Sequence, residues 1–493
     1  MNIVRPGDKD YDDDRRISNA RFNYKPSLIC YCENEDDVIE ALRMAKRGEY
    51  AVRVRAGGHQ HEGLCSGDGV LMVDVSNLNK IDVDFDRLTV RVGPGAKLKD
   101  IYTAVLSEGL LFPGGACGDV HVGGLVQGGG WGLFSRGLGL TCDWLHRFTM
   151  VTWYLNGKKE EDFHAIDVMG AASDPNKDLY WAVCGGGGGN FGVATEFVFK
   201  VVPYIYAPGN RPKSVTQFSA SWSDRNRAAN VLDEWMTRFP NDDEFRLTTF
   251  CRLIAPGTES TDKPTLILGN FVGEQDELEQ NLRRLLPRNF SSAEIEYSQV
   301  AVSPPPPSPA TAIFSHPKYQ PGAPGAPQDL SDTCSGAYFR HKVSSAYPRA
   351  DFGSAATEMI LKHINGATSL SGARRYISFH SLGGVVKGDG SREIWSCFAY
   401  RDKPFLMQYQ AWWDDRNLDG KCLDWLCRFR DDMRPYTEGA FINFPDRDLV
   451  DNATDRKSLM RPYYGKNFDE LIRIKNRYDP NNDFDFPMGI PVR

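Results

Sequence analysis

The chain has 493 residues, of which 41% are apolar and 25% charged, with a net charge of −7. This is the composition of a globular protein with room for two or three domains, and its acidic balance argues against nucleic acid as a partner. No apolar run reaches membrane-spanning length. The opening MNIVRPGDKD lacks the apolar core of a secretory signal, so a cytoplasmic location and no membrane partner are expected.

In chain order, the spacing of Val38, Ile39, Leu42 and Ala45 predicts a helix over 36–47. Alternation predicts strands over 51–56, 71–75 and 88–92, followed by a helix over 97–108 closed by Gly109. Strands are expected at 148–154 and 197–202. After Pro203 the glycine density falls, and helical spacing runs from 222 to 239. Strands at 248–253 and 264–272 and a helix at 274–286 follow. The stretch 303–328, rich in Pro, Ala, Gly and Ser, reads as a loop. Strands at 376–382, 395–400 and 405–412, a helix at 421–432 and a final helix at 463–478 complete the pattern. The fold class is therefore α+β.

There are 11 cysteines without a framework spacing, and Cys30/Cys32 and Cys422/Cys427 lack matching second pairs. No metal is expected, and most of the thiols read as buried and reduced. Glycine is the outlier at 47 residues. Gly185 to Gly189 are five in succession between two apolar segments, which favours a turn wrapped closely around a ligand over a loose loop. Neither dinucleotide-fold nor P-loop glycine spacing occurs. Two nucleophiles stand beside glycines: His59 after Gly57-Gly58, and Cys117 after Gly114-Gly115 and before Gly123-Gly124. Alone, each would be read as structural, and His61 as solvated or orienting. Together they suggest a large anionic ligand, cradled by backbone and held covalently.

Several segments resemble the berberine bridge enzyme-like oxidases. They are Arg55-Ala-Gly-Gly-His59-Gln-His-Glu-Gly63, Gly115-Ala-Cys117 through Gly132, Ser135 through Asp143, Asp178 through Gly192, Gly439 through Asp446, and Tyr463 through Asn467 with Asp479-Pro480. The resemblance is collinear and weakest over 206–375. It implies a PCMH-type FAD-binding domain from 1–205 and 435–493, enclosing a substrate domain at 206–434 with an antiparallel sheet covered by helices. It implies FAD linked through an 8α-histidyl bond to His59 and a 6-S-cysteinyl bond to Cys117. Arg55, Gly57, Gly58, Val120, Gly123, Gly124, Asp143, Gly189, Asn190, Gly192, Val193 and Asn467 would contact or support the cofactor. The sequence departs from the family pattern at His121, Leu125 and Trp144, where glycine, histidine and tyrosine are usual.

The chemistry so implied is hydride removal from an alcohol carbon of a sugar, glycoside or secondary metabolite, with O2 as acceptor and H2O2 as product. The base would be a tyrosine of the pair Tyr463-Tyr464, preferably Tyr463, with Trp144 offering a stacking surface. Gln408, a neutral amide, contacts substrate but takes no proton. Val120 favours O2 access. Alternatives are a dehydrogenase with another acceptor, an oxidative cyclisation enzyme, or a flavin-binding protein without turnover.

Overall fold

The computed structural model describes residues 1–107, 110–155, 158–203, 214–256, 264–301, 339–388, 395–450 and 455–493; the Pro-rich stretch 303–328 and Gly109 lie outside them. The first 200 residues form two sheets. One orders Asn2–Val4, Leu28–Tyr31, Leu71–Asp74 and Val52–Arg55, with the last three strands parallel. The helix Glu35–Arg47 is started by Asn34, whose side chain accepts from the Asp37 amide. Acidic residues open the helix and Lys46 and Arg47 close it, as its dipole favours. Its buried Val38, Ala41, Leu42 and Ala45 join the core under this sheet. The second sheet is antiparallel, in the order Ile81–Asp84, Thr89–Val92, Val193–Lys200, Leu145–Leu155 and Lys158–Met169.

Eight antiparallel strands form the large sheet, in the order Ile295–Ala301, Ser214–Trp222, Thr265–Val272, Leu247–Ile254, Ala373–Ser381, Phe405–Trp413, Arg340–Pro348 and Thr437–Glu438. The period of two divides its side chains between two environments. Cys251, Leu253, Ile377, Phe379, Met407, Tyr409, Ala411 and Trp413 share one core with the helices Ala228–Arg238, Gln275–Leu285, Ser354–Asn365 and Asp419–Met433. Between them, Arg252, Tyr376, His380, Gln408, Gln410 and Trp412 point to the other face, toward the first 200 residues.

Three expected elements differ, and two observed ones were not expected. Trp222 ends a strand, and the following helix starts only at Ala228. Segment 395–400 is extended but joins no sheet, because the Cys397 amide donates to Trp181 and Cys184 carbonyls at the end of the helix Lys177–Val183. The last helix is two, Arg456–Tyr464 and Phe468–Tyr478, broken where Gly465 takes φ +51°. The strand Arg340–Pro348 and the helix Ser354–Asn365 carried no assignment from the sequence.

A buried ion cluster joins the pieces. Lys342 Nζ lies 2.7 Å from Glu62, 2.5 Å from Asp446 and 2.9 Å from Asp448, and Arg430 lies 3.0 Å from Asp446. Burial alone would raise the Asp446 carboxyl, but Lys342 and Arg430 outweigh it and hold it at about 2. A depressed carboxyl stabilises the fold above its ordinary value of 3.8, and that stability is lost as pH falls toward 2. Asp446→Asn should therefore be less stable at neutral pH and lose about 2 kcal/mol less than wild type on acidification from about pH 5 to pH 2. Denaturant titrations across that range would show it; parallel acid profiles for the two proteins would contradict it.

Candidate active site

One cavity of about 400 Å³ lies between the glycine-rich segments and the polar face of the large sheet. His59, Gly57 and Gly58 enter it from the loop after the strand Val52–Arg55. Cys117, Val120, Gly123 and Gly124 enter from the segment leading into the helix Val122–Gln127, and Gly187, Gly188, Gly189, Asn190 and Gly192 from the glycine run. The large sheet contributes the opposite wall.

The glycines have specific reasons. A Cβ on Gly57 would stand 2.5 Å from the His121 ring, so the histidine that departs from the family pattern packs directly on the His59 loop. A Cβ on Gly124 would meet nothing within 4 Å, leaving backbone open toward the cavity. Gly187 and Gly189 take φ +87° and +74°, and Asn190 holds the turn by donating to the Gly186 and Gly187 carbonyls at 3.0 Å. Three polar atoms of lining residues, Arg53 Nε, His121 Nδ1 and His380 Nδ1, are buried without a protein partner. A bare-backbone floor, a nucleophilic imidazole and orphaned donors and acceptors fit a large cofactor bearing both phosphate and polar ring edges. Cys117 lines the same cavity as His59.

Several expected site residues are elsewhere. Tyr463 is 4% exposed and Tyr464 1%, and neither lines the cavity. The Tyr463 hydroxyl accepts from the Asp446 amide at 2.8 Å, and the Tyr464 hydroxyl donates to the Gly186 carbonyl at 2.7 Å. Burial pushes both phenols well above their ordinary value, opposite to what a tyrosinate base needs. Trp144 Nε1 donates to the Leu138 carbonyl, and Asp143 pairs with Arg401 at 2.5 Å. Arg55 is buried in an ion pair with Asp74 and donates to the Asp14 carbonyl. Asn467 donates to the Cys397 carbonyl. Val193 starts a strand, and its neighbours Gly192 and Ala194 line the cavity in its place. These six residue types are those that brace glycine-rich turns, and sequence position alone does not separate bracing from contact.

Gln408, expected to contact substrate, stands in a polar wall of the cavity. Gln408 Oε1 lies 3.1 Å from His380 Nε2, and Gln410 Oε1 accepts from both Tyr376 and Trp412 at 3.1 Å. His61, expected to be solvated or orienting, is paired in the lining: its Nδ1 lies 3.0 Å from His341 Nε2, while His341 Nδ1 lies 3.2 Å from the Phe339 carbonyl. A carbonyl only accepts, so His341 Nδ1 carries the proton and His341 Nε2 accepts from His61. That leaves His61 Nε2 as an unprotonated acceptor. Burial lowers the His61 ring to about 3, so it is neutral. No Asp or Glu lines the cavity among the described residues.

The comparisons with known proteins agree with this geometry. The FAD binding domain family matches residues 26–158, and the berberine and berberine-like family matches 440–491. The FAD-linked oxidoreductase YgaK of Bacillus subtilis is 27% identical over 489 residues, covering 99% of this chain and 96% of that protein. The aclacinomycin-N/aclacinomycin-A oxidase of Streptomyces galilaeus is 27% identical, covering 96% and 86%. Among solved structures, a chitooligosaccharide oxidase superposes with TM-score 0.81 at 20% identity, covering 100% of this chain and 97% of its own. The fold is thus the PCMH-type FAD-binding fold, and the protein is a flavoprotein oxidoreductase. Within that class the chain carries an FAD binding domain and a berberine and berberine-like domain, and it is similar along nearly its whole length to berberine bridge enzyme-like proteins.

The placement of the two tyrosines gives a direct check. Tyr464→Phe removes one of two donors to the Gly186 carbonyl, leaving Asn190, and should cost about 0.5–1.5 kcal/mol of stability. Neither it nor Tyr463→Phe should slow anaerobic flavin reduction by any substrate found; a loss of about 100-fold or more in either variant would restore a tyrosine base.

Proposed function

We propose that the protein is an FAD-dependent oxidase that removes a hydride from an alcohol carbon of a sugar, glycoside or secondary metabolite and passes the electrons to O2. The observation that carries this reading is the single cavity joining His59, on its glycine floor, to a wall of neutral hydrogen-bonding side chains. The oxidase names of the aclacinomycin relative and the chitooligosaccharide neighbour support it. In this reading 1–205 and 435–493 hold the cofactor and 206–434 receive the substrate.

Held by His59 and Cys117, FAD would supply the hydride acceptor and the route to O2. The remaining work falls to the chain. Gln408 and Gln410 hold a substrate hydroxyl, each fixed by a second side chain so that little ordering is left to binding. His61 takes the hydroxyl proton at Nε2 as His341 steadies Nδ1. Its low basicity is set by burial, and negative charge arriving in the cavity raises it toward the working range. Trp131 and Phe250, edge-on and tilted against His380, keep water from the sheet wall. Val120 lines the cavity three residues beyond Cys117, a small side chain where O2 must approach.

Acid-denatured protein should stay yellow; His59→Ala or Cys117→Ala alone should keep the colour, and the double variant should release it. Free FAD from the wild type contradicts the covalent linkage, and colour lost from His59→Ala alone contradicts the cysteine bond. With a substrate found by flavin bleaching, O2 consumption should match product; reduction only of an added dye would make the enzyme a dehydrogenase. His61→Asn should slow flavin reduction by about 100-fold or more with a smaller change in KM, whereas an unchanged rate would remove His61 from the chemistry.

A further inference from the structure

The large sheet holds a cation that the chemistry above does not use. Arg252, on the strand Leu247–Ile254, is only 6% exposed and lines the cavity. Its Nε donates to Ser378 Oγ at 3.0 Å. Its guanidinium lies 4.3 Å from the Tyr376 ring centre and 5.3 Å from that of Phe250. Among the described residues no carboxylate pairs with it and nothing accepts from its two terminal nitrogens. An arginine with its stem anchored, its face stacked and its fork empty is fixed in aim. A buried cation without a counter-charge is costly, and stacking on rings offsets only part of that cost.

The sheet register places this fork beside the substrate wall. Arg252 is opposite Ser378, which is opposite Gln408, and Tyr376 is opposite Gln410. The cavity's other charged lining residue among those described, Arg53, belongs to the opposite wall and is flanked there by Val52, Phe484 and Phe486. Its Nη1 is already turned to the Asp485 carbonyl. The contacts run from the cofactor loop through His61 and Trp412 to Gln410, Tyr376 and Arg252. Arg53 is therefore the cation on the cofactor side and Arg252 the cation on the substrate side.

We propose that the substrate carries a carboxylate, received bidentately by the terminal nitrogens of Arg252 while its hydroxyl-bearing carbon lies toward Gln408 and Gln410. This deepens the oxidase reading and rests on the cavity being the substrate site. A planar oxyanion matches the two parallel donors of the fork and supplies the missing counter-charge.

The test uses the holoprotein and two probes that cannot be oxidised there, benzoate and benzamide, followed by the flavin visible spectrum. Benzoate should bind about 30-fold or more tighter than benzamide. Arg252→Met should abolish that preference and Arg252→Lys should keep part of it. Ser378→Ala, which retains the charge but frees the anchor, should weaken it by a smaller factor and serves if the arginine variants do not fold. Equal affinity for the two probes overturns the proposal. So does a preference that survives Arg252→Met, and so does a shift of the flavin potential in that variant with the preference intact, which would assign Arg252 to the cofactor. Because neither probe has an oxidisable alcohol, the outcome is independent of turnover. If the benzoate preference holds and no hydroxy acid or other alcohol bleaches the flavin, the oxidase reading fails and the anion site stands.

Discussion

Lys342 is the point on which the site depends. Its ammonium is fully buried and meets Glu62 from the His59 loop, Asp446 from the C-terminal segment, and its own strand in the large sheet. The His59 loop, the C-terminal segment and neighbouring strands of the large sheet line the cavity, and Glu62 and Asp446 lie 280 and 104 residues from Lys342 in sequence. Removing one partner would leave an uncompensated buried charge, which costs about 3–5 kcal/mol. The cluster therefore ties the His59 loop and the C-terminal segment to the large sheet, beside other ties such as Trp131 Nε1 to the Ser381 carbonyl and Arg136 to the Leu382 and Leu247 carbonyls. Tyr463 belongs to this arrangement, since its hydroxyl accepts from the Asp446 amide.

Given those ties, the two sides of the cavity divide the chemistry. The glycine side presents backbone and the His59 imidazole, with His121 packed so closely on Gly57 that no side chain fits there. The sheet side presents amides, imidazoles and one arginine, all neutral or cationic. A cavity with no carboxylate among the described residues suits a bound group that brings its own negative charge. Beside it stands the His61–His341 pair, with its tautomers set by the Phe339 carbonyl.

Much of this was legible in the sequence because it depends on local rules. Alternation put Gln408 and Gln410 on one face, and the structure has both in the cavity wall with Met407 and Tyr409 behind them. The glycine runs announced close backbone approach, since nothing else tolerates Gly187 and Gly189 at positive φ. For the Tyr463-Tyr464 pair, proximity to a family motif says where the chain is but not which way a phenol points, and both side chains lie buried outside the cavity lining. His61, His341, Arg252 and His380 were missed for a different reason. Each lies on a separate segment, and only sheet register and the Lys342 cluster bring them to one cavity, a long-range fact that no spacing encodes.

A crystal structure of the holoprotein tests the central claim most directly. The account predicts density continuous from the His59 ring into the flavin, with the ring's open face turned to Gln408, Gln410 and His61. A flavin unattached to His59, or one whose reactive face points away from the large sheet, would contradict it.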